Sequence, residues 1–67
     1  MTTEVIDEMI RQRHRLNISQ RELAEMCGIP HSSIARIESG KISPKLSTVI
    51  NIYEQLGLRL VAKPRTE

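Results

Sequence analysis

Apolar residues recur at spacings of three and four along the first part of the chain. One broad stripe contains Val5, Ile6, Met9, Ile10 and Leu16. A stripe of this kind is typical of a helix that buries one face, and the early acidic residues suit the positive end of a helix dipole. The pattern predicts a helix from about Thr3 to Arg15. Asn17 is expected to end it, because asparagine tolerates the left-handed conformation found at many helix ends.

A second helix is predicted from Gln20 to about Cys27. Ser19, followed three residues later by Glu22, matches a capping box, in which each residue satisfies a backbone N–H group of the other. Gly28 is expected to end this helix after two turns and to allow an abrupt change of direction. A helix this short is not stable alone, so its neighbours must pack against it.

Two further helices follow. Pro30 favours the start of the third helix, because its missing N–H would have no partner in a first turn, and Ser39 and Gly40 are expected to end it. Residues 41–45 are predicted to form a loop. Ser47 is expected to cap a fourth helix that Gly57 ends. The inward positions of the two helices are Ile34, Ile37, Val49, Ile52, Tyr53 and Leu56.

The segment after Gly57 has a different pattern. In the segment from Leu58 to Lys63, apolar and charged side chains alternate at both ends, and no helical periodicity is present. This pattern predicts one β-strand that Pro64 ends. A disordered basic tail is the alternative. The expected fold class is therefore all-α, with a compact four-helix domain over residues 1–57. A short C-terminal strand and tail occupy residues 58–67.

The composition limits how this fold is supported. A chain of 67 residues has one small core, and Tyr53 is its only aromatic residue. The lone Cys27 cannot form an intramolecular disulfide, and no Cys/His spacing suits a metal, so no cofactor is expected. Oligomerisation remains as the usual support for so small a fold. No combination of nucleophile, base and pocket indicates an enzyme.

Hydropathy and charge point to the kind of partner. The chain has no run of about 18 apolar residues and no charged-then-apolar leader, so a cytoplasmic location without a membrane span is expected. The net charge is +2, but residues 1–10 carry only acids, whereas residues 11–45 carry seven basic and three acidic residues. Such an asymmetry is expected where one part of a domain faces phosphate, and a solvated surface is the alternative.

Six residues in the central segment follow a specific spacing. They are Gln20, Ala24, Gly28, Ile34, Ile37 and Glu38. With this spacing the chain resembles the Cro/C1-type helix-turn-helix family of phage repressors and xenobiotic-response-element-like regulators over roughly residues 5–57. The resemblance implies a lambda-repressor-like domain that binds double-stranded DNA and associates with the nucleoid.

The resemblance also implies which residues read the bases. His31, Ser32 and Arg36 occupy the base-contacting positions of the third helix, and Ser33 lies beside them at the groove wall. Arg36 can donate two hydrogen bonds to guanine O6 and N7. An exposed arginine paired with a glutamate or with solvent is the alternative.

Other residues are implied to position the protein. Gln20, Lys41 and Lys45 occupy phosphate-contacting positions, which supply affinity rather than sequence choice. Arg13 and Glu38 are expected to form a structural ion pair between the first helix and the end of the third.

The C-terminal tail is similar to that of HipB-like antitoxins, in which a strand pairs with its two-fold mate. Leu58, Leu60 and Val61 would then form the dimer interface. The function expected is that of a transcriptional regulator, acting as a repressor that binds a palindromic operator as a homodimer. The alternative is an antitoxin that also binds a partner toxin and autoregulates its operon.

Overall fold

A computed structural model of the chain describes residues 3–61. This part of the chain contains four helices: α1 (Thr3–Arg15), α2 (Gln20–Cys27), α3 (His31–Glu38) and α4 (Leu46–Gln55). The all-α class is therefore confirmed, and α1 and α2 have the predicted bounds. None of the helices in this range is long and apolar enough to cross a membrane.

The starts of α3 and α4 differ from prediction. Pro30 precedes α3, because its ψ of 145° is extended rather than helical. The prediction that Ser47 caps α4 was wrong. Lys45 takes the extended conformation instead, and its carbonyl accepts a hydrogen bond from the Val49 N–H at 3.1 Å. Ser47 consequently lies inside the first turn of α4.

The ends of all four described helices share one hydrogen-bonded turn, the Schellman motif. In α1, Asn17 has a positive φ of 56°, and the next N–H, that of Ile18, donates to the Arg13 carbonyl at 3.0 Å. In α2, Gly28 has a φ of 70°, and the Ile29 N–H reaches back to the Ala24 carbonyl at 3.1 Å. After α1, α2 and α4 the turn brings an apolar residue, Ile18, Ile29 or Leu58, against the core, whereas after α3 the corresponding residue is the exposed Lys41.

The same turn at the end of α4 corrects the predicted strand. α4 ends at Gln55, and the Leu58 N–H donates to the Tyr53 carbonyl at 2.8 Å. Leu58 also packs against the core, so neither its N–H nor its side chain is available for strand pairing. No strand occurs from Leu58 to Val61; the rest of the predicted strand lies outside the described residues.

The core lies where the short helix α2 packs against α3 and α4, and where α1 packs against α3. Its buried members are Met9, Leu23, Ala24, Ile34, Ile37, Val49, Ile52, Tyr53 and Leu56. Ala24 is fully buried on α2, and α2 packs most extensively against α3. A longer side chain at this position would therefore separate the two helices. Leu16, expected on the buried stripe of α1, is instead 46% exposed, since α1 ends before it.

Tyr53 ties α4 to the start of α1. Its hydroxyl donates a hydrogen bond to the Val5 carbonyl at 2.8 Å. Burial raises the pKa of this hydroxyl, so it stays protonated and remains a donor. The single aromatic residue therefore supplies both core volume and a link between two helices.

Candidate nucleic-acid interface

The two faces of α3 differ in burial and in residue type. Ile34 and Ile37 are buried in the core, whereas His31, Ser32 and Arg36 are exposed on the other side of the helix. Residues four apart lie on one helical face, so Ser32 and Arg36 form one edge of the exposed surface. The core thus holds α3 by its apolar side and leaves its polar side outward.

Arg36 is the strongest potential donor on this surface. Its backbone carbonyl accepts the Lys41 N–H at 3.0 Å and so takes part in ending α3. Its side chain is exposed, and no hydrogen bond or ion pair engages it within residues 3–61. The guanidinium therefore keeps all of its donors for an external partner.

His31 has an acidic neighbour that the sequence analysis missed. Its Nε2 lies 3.6 Å from Glu25 Oε1, and the same oxygen lies 3.7 Å from Arg21 Nε. The spacing of Arg21 and Glu25 by four predicts their pairing on α2, but the approach of His31 depends on how α3 packs against α2. These pairs are exposed, so an external partner displaces them at small cost.

The other predicted positions differ in accessibility. Ser33 is half-buried, and its N–H donates to the Pro30 carbonyl at 3.0 Å. Lys41 and Lys45 are exposed in the connection between α3 and α4. Gln20 is half-buried at the start of α2, and its amide is bonded to Glu38. No local pattern predicts that last bond, because Gln20 and Glu38 are far apart in the chain.

The ion pair between Arg13 and Glu38 is present and nearly buried. Arg13 Nε lies 2.7 Å from Glu38 Oε2, and Arg13 Nη2 donates to Glu38 Oε1 at 2.9 Å. The two side chains are 9% and 8% exposed. Arg13 Nη1 also donates to the Ile18 carbonyl at 2.9 Å. This arrangement joins the end of α1 to the end of α3.

A second exposed surface lies beside α4, away from the buried face of that helix. An apolar groove of about 630 Å³ is lined by Leu46, Ile50, Tyr53, Glu54, Leu58, Arg59, Leu60 and Val61. Four of the seven large exposed apolar residues in the described range, Leu46, Ile50, Leu60 and Val61, are in this groove. We name it the α4 groove.

The α4 groove includes residues that the sequence analysis missed. Leu58, Leu60 and Val61 were predicted to be interface residues, but Leu46 and Ile50 were not. The spacing of Leu46, Ile50 and Tyr53 by four and three gives α4 a second apolar stripe. This second stripe is the pattern from which Leu46 and Ile50 could have been predicted as interface residues.

Comparison with known proteins agrees with this arrangement of helices. A family model described as helix-turn-helix matches residues 8–62. The chain belongs to the Cro/C1-type helix-turn-helix family. In this helix-turn-helix protein, α2 and α3 are the two helices of the motif, and the turn between them contains Gly28.

Several curated relatives are named HTH-type transcriptional regulators. One from Haemophilus influenzae is 38% identical over 60 residues, which cover 90% of this chain and 61% of the relative. PuuR of Escherichia coli is 42% identical over 48 residues, covering 72% of this chain and 26% of PuuR. The regulator y4dL of Sinorhizobium fredii is 34% identical over 64 residues, covering 94% of this chain and 33% of y4dL.

The helix-turn-helix chain thus spans between about a quarter and three fifths of the length of these relatives. No solved structure matches the chain significantly. The similarity to HipB-like antitoxins in the tail is not confirmed by these comparisons and stays a prediction.

Proposed function

We propose that this chain is a sequence-specific DNA-binding transcriptional regulator that inserts α3 into the major groove. The observation that carries the proposal is the outer face of α3, where the Arg36 side chain is exposed and has no partner in the described part of the protein. In helix-turn-helix proteins the second helix of the motif lies in the major groove with its N-terminal residues at the base edges.

The roles within α3 follow from the chemistry of the side chains. Arg36 donates two parallel hydrogen bonds to guanine O6 and N7, which distinguishes guanine from the other bases. His31 and Ser32, at the start of the helix, donate to or accept from base edges. Ser33 is half-buried, so we place it at the groove wall rather than over a base.

The phosphate contacts lie on both sides of this helix. Gln20 opens α2, and Lys41 and Lys45 follow α3 on the exposed connection to α4. Contacts of this kind fix the register of the protein on the duplex and carry most of the salt dependence.

We further propose that the protein is a two-fold homodimer joined through the α4 groove and acts as a repressor. Leu46, Ile50 and the exposed tail residues Leu60 and Val61 leave an apolar surface uncovered beside α4. A second copy of the chain covers that surface without requiring a strand. The tail therefore keeps its proposed role in dimerisation and shares it with Leu46 and Ile50 of α4, while the proposed DNA-binding residues lie between Gln20 and Lys45.

Charge complementarity favours a second copy as the occupant. The two charged residues that line the α4 groove are Glu54 and Arg59, which have opposite signs. In a two-fold interface each residue pair occurs twice, so Glu54 of one copy can face Arg59 of the other and the reverse. A dimer with this symmetry binds an inverted repeat with half-sites about one helical turn apart.

DNA binding is tested by selecting duplexes from a random pool and titrating the enriched sequence at several salt concentrations. The proposal predicts enrichment of an inverted repeat and an affinity that falls steeply with salt. Arg15→Ala is a matched control, because Arg15 is an exposed arginine that bonds Gln12 and Glu8 on α1. An unenriched pool would refute the proposal.

Dimerisation is tested by sedimentation of the full chain. Glu54→Arg and Arg59→Glu each place like charges together and should favour the monomer, whereas the double substitution should restore the dimer. Ile50→Glu should also give monomer, but Leu16→Glu, an exposed leucine outside the groove, should not. A dimer unaffected by all groove substitutions would exclude this interface.

The antitoxin alternative rested on the predicted strand and stays a prediction. Its direct test is co-purification with the product of the neighbouring open reading frame. Association with the nucleoid follows from DNA binding and is proposed with it.

A further inference from the structure

The carboxylate of Glu38 is a junction of three helices. Its Oε2 accepts from Arg13 Nε of α1 at 2.7 Å, and its Oε1 accepts from Arg13 Nη2 at 2.9 Å. The same Oε1 also accepts from Gln20 Nε2, at the start of α2, at 2.9 Å. The ion pair with Arg13 is complete without Gln20, so the third bond calls for a separate explanation.

The third bond fixes which atom of the Gln20 amide faces inward. An ionised carboxylate can only accept hydrogen bonds, and the Glu38 carboxylate forms an ion pair with the Arg13 guanidinium. The NH₂ group of Gln20 must therefore face Glu38, whereas its carbonyl oxygen must face away. Without an acceptor-only neighbour, rotation of the terminal amide by half a turn would be compatible with either its oxygen or its nitrogen facing inward.

The orientation leaves one donor for another partner. The NH₂ group has two hydrogens, and the bond to Glu38 uses one of them. The other is held at the start of α2, where the side chain is only half-buried. A donor held in place before binding loses less conformational entropy when it contacts a ligand.

We propose that Glu38 is a positioning residue for DNA binding: it holds the Gln20 amide so that its second N–H is directed at a backbone phosphate. The inference rests on the proposed DNA-binding function. Because Glu38 is the last residue of α3 and Gln20 the first of α2, the bond also fixes the phosphate contact relative to the base-reading helix. Glu38 therefore has a role in binding besides its ion pair with Arg13.

The test is a double-mutant cycle on DNA affinity with Gln20→Ala and Glu38→Asp. Glu38→Asp keeps the charge opposite Arg13 but withdraws the carboxylate by one methylene. Loss of one hydrogen bond corresponds to an affinity about three- to tenfold lower for each single variant. In the Gln20→Ala background, Glu38→Asp should change affinity by less than about twofold, because no amide remains to be positioned. Urea unfolding curves ensure that every variant is folded at the temperature of the measurement.

Two results separate this inference from the function on which it rests. If the wild-type chain binds no duplex, both fail. If the wild type binds and Arg36→Ala weakens it, but the Gln20 and Glu38 losses are simply additive, DNA binding stands and the positioning role is wrong. Arg15→Ala serves again as the variant expected to leave affinity unchanged.

A measurement on the free wild-type protein keeps the inference testable even if Glu38→Asp does not fold. Of the two side-chain amide protons of Gln20, the one bonded to Glu38 should have an NMR signal shifted from that of a free glutamine and should exchange more slowly with water. Signals like those of a free glutamine would overturn the proposal without any variant.

Discussion

The two ends of α3 are both helical, but the side chains at its start are exposed whereas the Glu38 side chain at its end is nearly buried. At its start, His31 and Ser32 are exposed, and the His31 imidazole has a polar contact with the Glu25 carboxylate at 3.6 Å. At its end, the Glu38 carboxylate is 8% exposed and accepts three hydrogen bonds from Arg13 and Gln20. We call these the outer end and the inner end of α3.

The difference separates residues that hold the fold from residues that are available to a ligand. Polar groups at the inner end have lost their hydration and depend on their protein partners. Polar groups at the outer end, and Arg36 on the same exposed face, are still hydrated and can exchange water for DNA. Substitutions should therefore lower DNA affinity at the outer end and mainly stability at the inner end, where only the proposed positioning of Gln20 by Glu38 adds an effect on affinity.

The largest effect is expected for Arg13→Ala. It leaves the buried carboxylate of Glu38 without its cation and removes a donor from the Ile18 carbonyl. Breaking a buried ion pair in this way costs about 3 to 5 kcal/mol. Urea unfolding at neutral pH measures the loss, and Arg15→Ala, at an exposed arginine, should stay within about 0.5 kcal/mol of wild type.

A double-mutant cycle tests whether Arg13 and Glu38 act as one unit. Arg13→Ala combined with Glu38→Ala should cost clearly less than the two single substitutions together, with a coupling of about 0.5 to 3 kcal/mol. Additive losses would mean that the inner end is not held by this pair.

The next effect in size concerns the exposed face. Arg36→Ala should reduce discrimination between the selected duplex and a scrambled duplex by about 1 to 3 kcal/mol. It should leave the free energy of unfolding within about 0.5 kcal/mol of wild type, because no hydrogen bond or ion pair within residues 3–61 engages this side chain. Binding curves on the two duplexes give the result.

Lys45→Ala is the comparison for that substitution. It should weaken both duplexes alike and reduce the salt slope by about one. Equal losses on both duplexes for Arg36→Ala would move Arg36 from the base-reading set to the phosphate set.

A smaller effect is expected at the start of α2, next to Gln20. The Ser19 hydroxyl accepts a hydrogen bond from the Glu22 N–H at 3.0 Å, so Ser19→Ala should cost about 1 kcal/mol. Ser47→Ala is the matched control, since no side-chain cap bond begins α4 and Ser47 lies within its first turn. Thermal unfolding of the two variants measures the difference. Equal losses would restore Ser47 as a cap.

The sequence predicted local features well. The capping box at Ser19, the left-handed Asn17 and the two-turn length of α2 depend on residues close together in the chain, and each is present. The start of α4 was missed because Ser47 offers a capping side chain, whereas Lys45 begins the helix through its backbone alone. Capping preferences describe side-chain hydrogen bonds, so they do not predict a helix that begins without one.

The tail was missed for a different reason. Alternating residues after Gly57 favour a strand, but Gly57 also permits a Schellman turn that takes the Leu58 N–H and side chain for the core. The bond from Gln20 to Glu38 and the approach of His31 to Glu25 likewise depend on how α2 meets α3. Such contacts arise from tertiary packing and have no local pattern in the sequence.

The smallest effect on stability is expected from titration of Glu22. This carboxylate is exposed, so it contrasts with the nearly buried carboxylate of Glu38 at the inner end. The backbone N–H of Ser19 donates to Glu22 Oε1 at 3.0 Å. This bond, helped by the Ser19 side chain, lowers the pKa of Glu22 from its ordinary value of 4.5. The folded state thus prefers the charged carboxylate. The resulting stabilisation is present above the unfolded pKa and is lost as the pH falls through the lower folded pKa.

Glu22→Gln isolates this contribution, since glutamine can accept the same bond through its amide oxygen but does not titrate. The stability difference between wild type and Glu22→Gln should therefore be constant near neutral pH and shrink as the pH falls below 4.5. Urea unfolding at intervals between neutral pH and about pH 3 follows the change. A difference that does not vary with pH would show that the Glu22 carboxylate is no better bonded in the folded chain than in the unfolded one.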